Sequence, residues 1–270
     1  MAVSARTSPT LTPRRKARIP RALRRAAYTW GSVIAGLLLW QLVGDYVIHN
    51  PLFLATPSQS FVSIVNLWYQ GTLQRDMIVS GEEFAIGFVV ASFAGIVIGL
   101  FTATFERVSL VLTPWISGLY ATPIIAVAPL LILWFGVGIW SKVAVVISLV
   151  VFPMIISTEA GIRHTDPQLV EAARSFGATQ RQIFTKVMLP SAMPLILAGL
   201  RLGVGRGLIG VVVGELAGSR ARIGYLINDA SQAFNMRELF AGVIVMAAAG
   251  IFLTAAFERA ERVLVPWKHD

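Results

Sequence analysis

The sequence predicts an all-α fold, a polytopic membrane protein with six transmembrane helices. Three observations carry this. Of 270 residues, 56% are apolar and only 14% charged, whereas soluble domains carry about 25% charged residues. The mean hydropathy is +0.70. Apolar runs close to the ~20 residues needed to cross a bilayer recur along the chain, with Lys and Arg at their flanks.

The net charge of +9 does not point to nucleic acid. Eight of the 23 Lys and Arg precede Tyr28, most others flank apolar runs, and no basic face carries interleaved aromatics. The absence of cysteine excludes disulfides, thiolate metal sites and Cys nucleophiles.

Residues 1–27 are rich in Ser, Thr, Pro and Arg. They bury too little apolar surface to fold alone, so a disordered, basic cytoplasmic anchor is expected. A specific contact with anionic membrane lipids is the sharper alternative. The first span, 28–47, leads into Gly44-Asp45-Tyr46 without a small-x-small cleavage site, which argues against a signal peptide. A polar and aromatic connection, 49–80, follows. Within it Pro57-Ser58, then Phe61, Ile64, Val65 and Trp68, predict a short amphipathic helix at the interface.

The second span, 84–105, repeats Gly87, Ala91, Gly95 and Gly99 at every fourth position, a face for close backbone approach. Glu106-Arg107 mark a turn. The third span, 111–135, contains Pro114, Pro123 and Pro129, each of which removes an intrahelical hydrogen bond, so a kink or break is expected there. Gly136-Val137-Gly138 turns into a fourth span, 139–157. After a polar loop, 158–192, come a fifth span, 193–216, and a sixth, 239–257. Gly199, Gly203 and Gly207 again form a small-residue face. It has no obvious partner within one copy, which points to a second copy of the chain. The tail, 263–270, is expected on the same side as the N-terminus, since six spans return the chain to it. Sixteen Lys and Arg fall on that side and five on the other. The bias places both termini and the central loop in the cytoplasm.

Within that loop, residues 166–190, Asp166 is a good N-cap and Pro167 a good first helical residue. The helix should run to Phe176 and stop at Gly177 in the left-handed conformation. Ala172 and Ala173 keep it slim and Glu171 gives it a fixed charge. Thr179 and Gln182 form a capping box for a second short helix. Its Ile183, Phe184, Val187 and Met188 make an apolar stripe that should anchor the loop on the bundle, and Pro190 is expected to end it.

Glu171-Ala172-Ala173, Gly177, Val187 and Leu189-Pro190, at these spacings, resemble the cytoplasmic "EAA" loop of bacterial ABC-importer permeases. That family usually has Ile at the place of Val187. Residues 128–138, APLLILWFGVG, and Gly214-Glu215-Leu216 with Gly224-Tyr225-Leu226 are similar to its nitrate, sulfonate, taurine and bicarbonate branch, and the likeness covers 80–262. Glu82-Glu83 depart from the branch, where neutral or basic residues are expected. The resemblance implies a permease domain over 28–262 in a bacterial inner membrane. It implies that the Pro167–Phe176 helix is a coupling helix seated on separate ABC ATPase subunits, with Glu171, Ala172, Ala173, Gly177, Leu189 and Pro190 as the coupling residues. An extracytoplasmic substrate-binding protein is the other expected partner. The expected cargo is a small anion such as an aliphatic sulfonate, taurine, nitrate or an organic carboxylate.

No G-x-x-x-x-G-K-[ST] occurs, so ATP is expected on the partner and no cofactor on this chain. Gly205, Gly207 and Gly210 match a dinucleotide fingerprint but sit in a span, where no strand precedes them. His49, His164 and His269 lie apart, so no metal site, catalytic histidine or enzymatic activity is expected. Arg206 lies near the middle of the fifth span, where a charge costs at least ~2.5 kcal/mol. It either lines a path for an anion, with Pro123, Pro129 and Glu215 as further candidates, or belongs to a structural pair. Arg201, nearer the cytoplasmic end, is expected to snorkel. An ion-coupled secondary transporter and a non-transport assembly protein are the alternatives. The first should show carboxylates or discontinuous spans for coupling ions in both halves.

Overall fold

A computed structural model of the chain describes residues 21–216 and 222–264. The basic residues before Arg21, Arg220 and the tail from 265 onward lie outside the described residues. Among those described, every regular element is helical.

Helix α1 (Arg21–Leu42) passes into a wide π turn, Val43–Ile48, which ends at His49 with φ 46°. It begins before the expected start at 28, because Arg, Ala and Leu over 21–27 are good helix formers. The side chains from Tyr28 on are largely exposed. Gln41 donates from Nε2 to Asp45 Oδ2 at 2.8 Å.

The residues from Asn50 on form a separate body. Its elements are α2 (Pro57–Tyr69), α3 (Thr72–Thr104), α4 (Glu106–Ala121), α5 (Ile124–Phe135), α6 (Ile139–Arg163), α7 (Pro167–Ser175), α8 (Gln180–Ile183), α9 (Leu189–Leu216), α10 (Ile223–Gln232) and α11 (Met236–Leu264). Helices α3, α6 and α11 are each long and apolar enough to cross a membrane, as are Tyr28–Ile48 and the continuous stretch Gln180–Leu216. Helices α4 and α5 are long and apolar enough only as a pair, bent by 100° at the break, and counted as one span they make the sixth.

Helix α6 is the central post, packed between α3 and α9. Small residues set the spacing. A Cβ added at Gly95 would lie 2.5 Å from Met154 Cβ, and one at Gly87 would lie 2.7 Å from Val146 Cβ. On α9, Gly199 faces Ser157, Gly203 faces Phe88 and Val150, and Gly207 faces Phe84. Both glycine faces are therefore filled inside one copy. This corrects the expectation that the Gly199–Gly207 face awaits a second copy: a small-residue stripe specifies a close neighbour but not which helix supplies it. The core around these contacts includes Phe84, Phe88, Ala91, Val146, Val150, Met154, Val204 and Val211.

Further elements differ from the sequence reading, among them α4, which starts at Glu106 where a turn was expected, and α11, which spans Met236–Leu264 rather than 239–257. Helix α3 starts at Thr72 rather than 84, because its first three turns bury a face of Leu73, Asp76, Ser80 and Glu83. That face is helical in period but too polar to register as a span. Helix α6 runs on to Arg163, past the expected end at 157. Pro190 does not end the second loop helix. A π turn, Phe184–Met188, with Leu189 N–H bonding to Phe184 O, widens the backbone just before the proline ring. The chain then continues unbroken into α9. Helix α10 was not anticipated. Its signal is the 3.6-residue recurrence of Ile223, Leu226 and Ala230, all buried.

The expected helix at 57 is present as α2, with the Thr56–Gln59 capping box formed. Its faces divide differently from the expected stripe. Ser60, Ile64 and Leu67 turn inward toward α11, while Phe61 and Trp68 stay exposed. Of the three prolines in the third span, Pro114 and Pro129 are absorbed within α4 and α5. Pro123 makes the break, holding Thr122 extended at φ −71°, ψ 129°.

Candidate functional site

The loop between α6 and α9 is built from closed local bonds. Asp166 Oδ1 accepts from Gln168 N–H at 2.8 Å and caps α7. At the other end Gly177 adopts φ 77°. Ala178 N–H bonds Ala173 O at 3.0 Å and Gly177 N–H bonds Arg174 O at 2.9 Å, the paired bonds of a Schellman stop. Thr179 N–H then donates to Gln182 Oε1 at 2.8 Å, and Gln182 N–H donates back to Thr179 Oγ1. Helix α7 has no buried residue. Glu171, Ala172 and Gly177 are exposed and Ala173 is half-buried.

Behind it, Ile183 is fully buried, and Phe184, Met188 and Leu189 pack on the main core. Val187 and Pro190 are half-buried. The structure thus gathers Ile183, Phe184, Val187 and Met188 at one place and leaves Glu171, Ala172 and Gly177 exposed at another, while Leu189 and Pro190, expected among the ATPase-coupling residues, lie beside the anchor. Sequence reasoning missed Leu169 and Phe176, which are 52% and 92% exposed. They are seven positions apart, on one helix face, and large apolar residues on the outer face of a polar helix were the available signal. Arg163 braces this end of the bundle, bonding Glu159 at 2.9 Å and Ser109 Oγ at 2.9 Å. The bond to Ser109 and a longer one to Thr102 O place the ends of α3 and α6 beside the start of α4.

Arg206 is exposed on α9, its Cζ 5.9 Å from the centre of the Tyr120 ring. Both line a cavity of about 310 Å³ at the α4–α5 break, with Pro123 on its wall. Pro129 lies farther along α5, also exposed, and does not line this cavity. Arg201 pairs with Glu258 at 3.7 Å and with Glu261 of α11, a partner sixty residues away that no local pattern announces.

Glu215 lies elsewhere, fully buried in a polar knot at the bundle end away from α7. Its Oε1 accepts from Ser80 Oγ at 2.6 Å and its Oε2 from Gly224 N–H at 2.5 Å. Ser80 Oγ also accepts from Ile223 N–H at 3.2 Å. Ser80 and Glu215 therefore satisfy the free N–H groups at the start of α10, where Arg222 provides no side-chain cap. Gly224 is needed there, since a Cβ would stand 2.8 Å from Glu215 Cβ. Beside it Arg222 Nε–H donates to Glu83 Oε1 at 2.7 Å. Lys142, also fully buried, interacts electrostatically with Glu83, Glu215 and Arg222. The departure at Glu83 thus has its compensating charge in Arg222, while Glu82 is exposed.

Fold and loop together define a class, a multi-pass membrane transport subunit rather than an enzyme. A family model described as "Binding-protein-dependent transport system inner membrane component" matches residues 95–270. The chain is 35% identical over 253 residues to the putative aliphatic sulfonates transport permease protein SsuC of Bacillus subtilis, covering 91% of each chain. It is 32% identical to the formylaminopyrimidine transport permease protein ThiX of Halalkalibacterium halodurans, covering 86% of this chain and 92% of that one. A crystal structure of an amino acid ABC transporter shares the fold at a TM-score of 0.59 and 20% identity, over 76% of this chain and 97% of that one. The chain belongs to this family. It is the inner-membrane permease component of an ABC importer, which works with a separate ATPase and a binding protein.

Proposed function

We propose that the chain carries a small organic anion inward, worked through α7 by ATPase subunits that bind the ATP. The observation that carries this reading is α7 itself, a helix capped at both ends, with no buried residue, held from behind by Ile183 and Phe184. A helix presented in this way can enter a groove on a partner and pass a rigid displacement to the spans through α8 and the π turn. Glu171, Ala172, Ala173 and Gly177 form the working end. Ile183, Phe184, Val187, Met188, Leu189 and Pro190 form the fixed end.

The charge bias favours a cytoplasmic α7 and cytoplasmic termini. The binding protein then meets the opposite face, near α10. A second copy of the chain covers the α9 face that bears Arg206, because an exposed guanidinium at that depth is costly against lipid. The glycine faces no longer argue for that dimer; the exposed charge does. Anionic cargo is supported by the relative named for aliphatic sulfonates.

Co-purification with the ATPase tests the coupling. The wild type should carry the ATPase through two affinity steps. Glu171→Lys, or Gly177→Val at a left-handed position, should lose it while the permease remains folded. Ion-coupled uptake by the permease alone, without an ATPase, would overturn the reading.

A further inference from the structure

We propose that Arg206 and Tyr120 form a subsite for the acid head of an anion with a short alkyl tail, with the tail lying on the apolar wall of the α4–α5 break. This rests on the transport reading above and specifies its cargo.

Arg206 has no carboxylate partner among the described residues, whereas Arg163, Arg201 and Arg222 all do. The acids of the described residues lie toward the ends of spans, in connections, or in the Glu83–Glu215 knot. Glu215 stands nine residues from Arg206, about 13 Å along the helix axis. An anion bound from outside the protein supplies the counter-charge.

The cavity's chemistry narrows that charge. Ser148 Oγ–H is spent on Ala144 O at 2.8 Å, and Thr122 Oγ1–H on Gly118 O at 3.0 Å. Both hydroxyls line the cavity as acceptors only, so Arg206 is its cationic donor. The Tyr120 ring lies 5.9 Å from the guanidinium carbon, at the outer reach of a cation–π contact. The planar edge remains for a sulfonate or carboxylate, whose oxygens it matches in pairs. Ile124, Leu149, Phe152 and Ile209 supply the remaining wall. A bare inorganic anion would leave that wall uncovered, and a short alkyl chain would cover it. The volume of about 310 Å³ suits a molecule of that size.

Thermal unfolding of the purified full chain, with ethanesulfonate or nitrate at equal ionic strength, tests the subsite. Ethanesulfonate should stabilise the wild type more than nitrate does. Arg206→Gln should abolish the difference, Arg206→Lys should keep part of it, and Tyr120→Leu should reduce it. No shift in the wild type, equal shifts by the two anions, or an undiminished shift in Arg206→Gln would each overturn the subsite. Uptake into vesicles holding permease, ATPase and binding protein separates this from the transport reading. Arg206→Gln should lose at least tenfold of ethanesulfonate uptake, and Arg206→Lys should keep part of it. A wild type that shows the Arg206-dependent shift but takes up no sulfonate would sink the transport reading and leave the subsite standing.

Discussion

Phe176 and Leu169 leave a large apolar area in water on α7, and a partner that covers them gains its hydrophobic transfer energy. Phe176→Ser should therefore weaken ATPase binding by about 10- to 30-fold, or ~1.4–2 kcal/mol. Its unfolding temperature should stay at the wild-type value, since the ring supports nothing within the chain. Titration of ATPase onto reconstituted permease checks both parts. The polar knot should behave in the opposite way. Arg222→Ala leaves Glu83 buried without its guanidinium, which costs about 3–5 kcal/mol. The measurement is unfolding in detergent, and Arg222→Lys should recover part of the loss. Glu171 and the alanines were legible at this scale because their spacing is local. The use of Glu83 was not, because its partner stands 139 positions away.

Among the elements, the loop divides by packing. Phe184→Asp drives a charge into the core beneath α8, so expression or uptake should collapse. Glu171→Ala should keep expression and lower ATPase association. Similar collapse in both variants, read by fluorescence size-exclusion chromatography, would show that the fixed and working ends are not separate. Gly95→Val should destabilise the α3–α6 contact by about 1–3 kcal/mol, because its Cβ would lie 2.5 Å from Met154 Cβ. The caps of α7 and α8 were readable, since Asp166, Gly177 and the Thr179–Gln182 box act within a few residues. The continuation through Pro190 was not. It depends on a π turn, a backbone adjustment that residue propensity does not encode.

At the scale of the whole molecule, the arrangement sets two ends apart. Helix α7 stands at the end where α3 and α6 finish, and α10 stands at the end where α3 and α6 begin. The chain contains no cysteine, so single introduced thiols report without background. Glu171→Cys should react with a membrane-impermeant maleimide in inside-out vesicles and not in intact cells. Asp229→Cys, on α10, should show the reverse. The same sidedness for both would overturn the topology.

The sequence by itself determined six apolar crossings, the capped loop and its family likeness, because hydropathy and capping are properties of neighbouring residues. It also narrowed the break to three prolines, Pro114, Pro123 and Pro129, and located the lone charge of Arg206. Only the tertiary structure decided what each long-range group meets. The glycine faces close on α6, Arg201 finds Glu258 and Glu261, and Glu215 caps α10 instead of joining Arg206. Pairings across dozens of residues are settled by which helices lie side by side, and one-dimensional periodicity carries the face of a helix but not the identity of its neighbour.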